Sequence, residues 1–281
     1  MLKRQFAPED AVFQELKDKL HIYGSNGGFG RTSFSHWQET MGNIGPKVFY
    51  ETLTRGLPGN TVVNIESKSG GDAEMTIVSS YGGKTLLQAE RYFSRRHGDL
   101  RLNEVSVHES ERRNGIGNIL LSNQLDMMRL LNLRYAQIRT GRDDGPYYWG
   151  LKGVRLKDQS YADIFLRSVE SSYERLKDEI DPAIRPDIEK ILAEKSLYCI
   201  RSLALLPGTL GDKPLGKALM YGNEAVCVIV PEDAAQMEII NHGLRKVDRQ
   251  REDMLTRYPD VKPSMAKTAE IPSQTSSFKL H

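Results

Sequence analysis

The stretch from Leu102 to Leu121, LNEVSVHESERRNGIGNILL, changes character halfway. Its first six residues read as the end of a strand, and from Ile116 onward the apolar residues recur at helical spacing. Between the two lies a turn, Arg112-Arg113-Asn114-Gly115-Ile116-Gly117. Glycines at a strand-to-helix turn let a ligand approach the backbone closely. The unpaired N–H groups and the dipole of the helix that begins there favour an anion. A pyrophosphate suits such a bend, whereas a turn that only tightens the connection is the alternative.

Working outward, the four runs before the turn, TVVNIES, AEMTIVSS, KTLLQAERYF and LRLNEVSV, are short, rich in β-branched and aromatic residues, and separated by Gly-Gly or His-Gly-Asp. They predict successive antiparallel strands between 61 and 107. After the turn, a stripe of Ile116, Ile119, Leu120, Met127, Leu130 and Leu131 predicts a largely buried helix to about Leu131, followed by a strand over Leu133–Ile138. A Gly-Pro-aromatic segment, Gly145–Val154, comes next.

Farther out, Pro8–Leu20 predicts an amphipathic helix. The Gly24–Gly30 run, GSNGGFG, lacks the Gly-Lys-Ser/Thr ending of a phosphate loop and reads as a turn or lid. Tyr161–Lys195 has helical spacing broken at Asp181-Pro182 and Arg185-Pro186; strands are expected at Ser196–Leu206 and Glu224–Val230, and a helix at Ala234–Leu244. The expected organisation is an N-terminal helical and glycine-rich segment (1–60), a core (61–154), a helical insertion (155–195), C-terminal strands and helix completing the domain (196–257), and a disordered tail (258–281) rich in Pro, Ser, Thr and Lys.

Composition limits the function classes. With 281 residues, 39% hydrophobic and 27% charged, general disorder is excluded. A formal charge of +2 offers no overall attraction to nucleic acid or to anionic membranes. Locally the balance differs: from Arg91 to Arg142 ten basic residues face five acidic ones, centring positive charge on the glycine turn. Cys199 and Cys227 sit in apolar runs as buried thiols do, and the six histidines show no metal-ligand spacing with them, so no metal is expected. No apolar run approaches a membrane span, and the expected location is cytoplasmic.

The segment Val107, HESE, Arg112-Arg-Asn-Gly115-Ile-Gly117 resembles the acetyl-CoA loop of the GNAT superfamily of acyl-CoA N-acyltransferases, whose pattern is Val, four residues, then Arg/Gln-x-x-Gly-x-Gly/Ala. The resemblance implies an α+β fold, with a mixed, mostly antiparallel twisted sheet flanked by helices, here carrying an inserted helical lobe. It implies acetyl-CoA or another acyl-CoA as cofactor. Main-chain N–H groups of Arg113, Asn114, Gly115, Ile116, Gly117 and Asn118 would meet the pyrophosphate, Arg112 would shape the loop, and the backbone around Ser106, Val107 and His108 would pair with the pantetheine arm.

The implied reaction is attack of a neutral amine, on a protein or a small molecule, on a thioester, which needs a base and an acid. Glu104, in the strand leading to the loop, is the first candidate base and His108 the second. Tyr148 is the candidate acid, because the family's usual tyrosine register falls on Trp149; Arg142 stands near the family's usual Asn. Each candidate also has a plainer reading: Glu104 as an exposed strand carboxylate, His108 facing solvent, and Tyr147, Tyr148 and Trp149 as packing or pocket residues. These departures leave open a GNAT-like scaffold without turnover, part of a larger assembly.

Overall fold

The computed structural model describes residues 15–24 and 34–259. Four strands, β2 (Asn60–Ser67), β3 (Asp72–Tyr81), β4 (Lys84–Ser94) and β5 (Asp99–Val107), run antiparallel in succession where the alternating sequence predicts them. Alternate residues of each are withdrawn onto one face, as with Val63, Ile65, Ala73, Met75 and Ile77, all at most 1% exposed. Gly82 and Gly83, both at positive φ, form the two-residue turn between β3 and β4.

The chain then crosses over through helix α3 (Ile116–Leu130) to β6 (Tyr135–Arg139), which lies parallel to β5. A parallel neighbour needs such a crossover. Ile116, Ile119, Leu120, Met127 and Met128 of α3 are each at most 1% exposed, so this helix supplies much of the core beneath the sheet. β8 (Val226–Ile229) and β7 (Arg155–Leu156) complete the far end, and β1 (Leu20–Gly24) lies parallel to β2 at the near one. The eight-stranded order is β1-β2-β3-β4-β5-β6-β8-β7, a mixed and mostly antiparallel sheet flanked by helices.

Helices α1 (Phe34–Met41) and α2 (Pro46–Thr54) connect β1 to β2 in the chain, α4 (Gly145–Leu151) follows β6, and α5 (Gln159–Leu176) and α6 (Arg185–Glu194) occupy the stretch assigned to a helical insertion. Buried Phe165, Val169, Tyr173 and Ile188 of α5 and α6 belong to the same continuous apolar cluster as the sheet. Two expectations need correction. Ser196–Leu206 is not a strand but contains helix α7 (Cys199–Ala204), packed on α4 and on α8 (Leu215–Met220). Leu20 opens β1 instead of closing a helix, and residues 8–14 of the expected Pro8–Leu20 helix lie outside the described residues. The glycine run from 25 to 30 lies outside them too.

Beyond α9 (Ala234–Leu244), which is where the sequence puts a helix, comes α10 (Val247–Arg257), which the sequence reading did not separate out. Tyr258 is not part of a tail: its N–H donates to the Met254 carbonyl and its ring meets that of Tyr81 edge-on at 5.2 Å. From 260 the expected tail lies outside the described residues. Among the described residues no helix is long and apolar enough to cross a membrane, and no group of three potential metal-ligating side chains assembles.

Candidate active site

The parallel pairing of β5 with β6 ends early. It runs from Asp99 opposite Tyr135 to Leu102 opposite Ile138 and stops, although β5 continues to Val107 along β4. At the same level the register of β4 on β5 shifts: Glu90 faces Glu104 and Arg91 faces Leu102, leaving Asn103 as an extra residue. Such a bulge bends its strand. Here it coincides with the point where β5 leaves β6.

A cleft of about 470 Å³ opens in the gap. Asn103, Glu104, Val105 and Val107 of β5 form one wall, Ile138, Arg139 and Gly141 another, Gly117 and Leu120 of α3 the base, and Tyr148 and Trp149 of α4 the end. Val105 is 43% exposed, an uncovered apolar strand residue beside a free strand edge.

The glycine turn lies where β5 hands over to α3. After a short helical turn at Glu109–Glu111, Arg113 adopts φ 69° and Gly115, the residue before α3, φ 89°. A non-glycine residue in the left-handed region is strained, and such strain gathers at ligand-contacting loops. The N–H groups of Asn118 and Ile119 turn back to the Gly115 carbonyl. Those of Arg113, Gly115, Ile116 and Gly117 have no hydrogen-bond partner among the described residues, and no side chain caps the helix. Four donors therefore stand open at the positive end of a fifteen-residue helix.

One neighbour reaches over this bend. The side chain of Gln250 on α10 accepts from Asn118 Nδ2 at 3.3 Å and comes within 2.4 Å of where a β-carbon on Gly115 would stand. It occupies the Cα side of Gly115 and bonds none of the open N–H groups. Beneath the loop, Glu111 is nearly buried and holds Ser110, Asn114 and Arg257. Burial pushes its pKa up, but hydrogen bonds from Tyr258, Ser110 and Asn114 and the charge of Arg257 outweigh this and leave it below the ordinary glutamate range.

The predicted residues divide. Glu104 lines the cleft with an exposed side chain, and Val107, Gly117 and Tyr148 line it as well. Tyr148 as a whole stays 41% exposed, yet its hydroxyl is withdrawn against Gly117, and desolvation raises its pKa. Trp149 lines the same end, while Tyr147 packs against the core. Ser106 is exposed on β5, Arg112 donates from Nε to the Val107 carbonyl at 3.4 Å, and Arg113, Asn114, Ile116 and Asn118 belong to the bend. His108 is not among the cleft-lining residues: its Nδ1 accepts from the Ser110 N–H, closing the short turn.

Sequence reasoning missed three groups. Lys152 bonds Asn118 Oδ1 at 2.5 Å and stands 5.3 Å from the centre of the Tyr148 ring; desolvation lowers its pKa. Arg91 of β4 and Gln124 of α3 line the cleft as buried side chains, and Arg91 is only 2% exposed. Its Nη1 donates to the carbonyls of Glu90 and Glu104 at 2.6 and 2.8 Å, across the bulge, and the Gln124 amide, turned with its oxygen inward, accepts from Nε and Nη2. Burial pulls the pKa of this guanidinium down to about 9, so it stays charged at neutral pH. The alternation Leu87, Ala89, Arg91, Phe93 was the available signal, since it puts Arg91 in phase with the buried face.

No family model matches the chain, and no curated protein matches it in sequence. Among solved structures it is similar to a nourseothricin acetyltransferase over 25% of this chain, at 13% identity and a TM-score of 0.21. It is also similar to a tandem GNAT protein from the clavulanic acid biosynthesis pathway over 44% of this chain, at 17% identity and a TM-score of 0.26. The chain spans 40% of the length of each of those proteins.

Proposed function

We propose that the chain is an acyl-CoA-dependent N-acyltransferase of GNAT type. The observation that carries this reading is the divergence of β5 from β6 beyond Leu102 and Ile138, directly beside a bend with four unpartnered N–H groups. The open donors of Arg113, Gly115, Ile116 and Gly117 suit a pyrophosphate, and the free edge of β5 from Asn103 to Val107 suits an extended amide-bearing arm, which it would meet as a neighbouring strand. Gly117 fits this role because a β-carbon there would stand 3.3 Å from Tyr148 Oη, narrowing the passage between the bend and the end of the cleft.

When bound, an acyl thioester supplies an electrophilic carbonyl and a sulfur leaving group. Glu104, with its exposed carboxylate in the cleft wall, takes a proton from the acceptor amine, directly or through water. Tyr148 holds a proton at Oη for the departing sulfur, and its raised pKa keeps that proton in place at neutral pH. Trp149 bounds the acyl end of the cleft. The acceptor is an amine of a protein or a small molecule.

Isothermal titration with acetyl-CoA tests the reading. Binding by the wild type and its loss in Gly117→Glu, with an unchanged melting temperature, is the expected result. No heat of binding from folded wild-type protein would overturn it. Binding without thioester cleavage across a broad amine panel would instead identify a coenzyme-binding protein that does not turn over.

A further inference from the structure

Arg91 carries a charge that no ion pair neutralises, although the Glu90 carboxylate farther off favours it weakly against the larger effect of burial. Among the described residues no carboxylate lies within ion-pair distance, and the partners of its N–H groups are the carbonyls of Glu90 and Glu104 and the amide of Gln124, all uncharged. Four of its five N–H groups are thereby used, which leaves one on Nη2. Burying a cation without a counter-ion is costly, and buried charges in proteins are ordinarily paired. Arg91 nevertheless lines the cleft.

Arg139, at the end of β6 on the opposite wall, is exposed and also has no acidic partner among the described residues. The cleft thus holds two unpaired guanidinium groups against one lining carboxylate, that of Glu104. Hydrogen bonds across the bulge account for where Arg91 sits, but none of them sets an opposite charge against it.

We infer that Arg91, assisted by Arg139, is a specificity determinant that selects a carboxylate-bearing group in the cleft. The inference rests on the acyl-transfer reading above. The carboxylate has two sources: the distal end of a dicarboxylic acyl chain, or the acceptor, as in an amino acid or a peptide C-terminus. Guanidinium groups suit a carboxylate by geometry as well as charge.

Two comparisons on the full chain test this, each with a probe pair differing mainly in the anionic group. In the first, dissociation constants for succinyl-CoA and butyryl-CoA are measured by calorimetry; the coenzyme moiety is common to both and cancels. In the second, thiol release from acetyl-CoA is followed with the standard amino acids and with their amides, each free amine otherwise alike. A carboxylate preference of at least tenfold in one arm is expected and identifies the source. That preference should fall to about twofold or less in Arg91→Met and shrink in Arg139→Gln, while Arg91→Lys retains part of it.

Should Arg91→Met not fold, the wild-type ratios and Arg139→Gln still decide. Ratios below twofold in both wild-type arms, with acetyl-CoA bound normally, would overturn the carboxylate assignment and leave acyl transfer standing. A preference untouched in both folded neutral variants would overturn the assignment to these two arginines. Failure of every CoA ester to bind would remove the acyl-transfer reading and this inference together.

Discussion

The hydroxyl of Tyr148 lies 3.3 Å from the point where a β-carbon on Gly117 would stand, so the middle of α4 and the first turn of α3 meet across the narrow part of the cleft. A β-carbon at 117 would require this hydroxyl to give way by a few tenths of an ångström. If Tyr148 is the proton donor, Tyr148→Phe lowers kcat by about 10²-fold or more, with acetyl-CoA affinity unchanged. The sign of the pH effect follows from the raised pKa: the phenol keeps its proton beyond the ordinary tyrosine value of 10.0. A pH profile of kcat with an alkaline limb belonging to Tyr148 below pH 10 would contradict the assignment.

Gly115 has a separate constraint. It takes φ 89° at the start of α3, and its missing side chain makes room for Gln250. Gly115→Ala is expected to cost about 1–2 kcal/mol from the left-handed backbone alone. Denaturant titration measures this, and adding Gln250→Ala should recover only the part due to the clash. Full recovery would mean that backbone conformation is not what demands glycine here.

Glu111 makes the loop's support sensitive to acid. Its pKa is lowered in the fold, so its contribution to stability is present above the ordinary value of 4.5 and disappears as pH falls through the lower folded value. Wild type should therefore exceed Glu111→Gln in stability by about 1 kcal/mol at pH 7, and by less at pH 3. Chemical denaturation at both pH values checks it; a gap that widens in acid would reverse the argument.

Cys199 and Cys227 are fully buried, and desolvation raises both thiols, Cys199 to about 12. Neither forms thiolate at pH 8 in the folded chain. Ellman's reagent should find no rapidly reacting thiol in native protein and two after denaturation. A thiol titrating at once under native conditions would show that one of these elements opens readily.

How much of this was legible beforehand depended on whether the signal was local. The strands from 61 to 107 and the helix from 116 declare themselves because burial alternates along each strand and recurs along the helix within a few residues. Cys199–Ala204 offers six residues inside an apolar run, too few to separate a strand's period from a helix's. Its state is set from outside, by α4: a β-carbon on Gly150 would come within 2.6 Å of the Ile200 carbonyl oxygen, so these two helices touch backbone to backbone. Helix α10 carries only Val247, Arg251 and Met254 as buried residues, a thin stripe in a charged sequence.

The site was legible in the same uneven way. Glycines and arginines marked the bend, since their conformational and electrostatic meaning is carried by the residues themselves. The register shift at Asn103 was not marked, because a bulge depends on which residue of β4 faces which of β5. His108 looked suitable for proton transfer by adjacency alone, and only the turn geometry reveals that its Nδ1 is engaged by Ser110.

A seam left unzipped in the middle of a sheet also governs how that strand exchanges with its surroundings. Beyond Leu102, every second peptide hydrogen of β5 faces the gap instead of β6, so it should trade for deuterium quickly although its neighbours on either side are locked. Slowing of that exchange when a molecule lodges in the gap would report occupancy at single-residue detail, without any knowledge of the chemistry that follows.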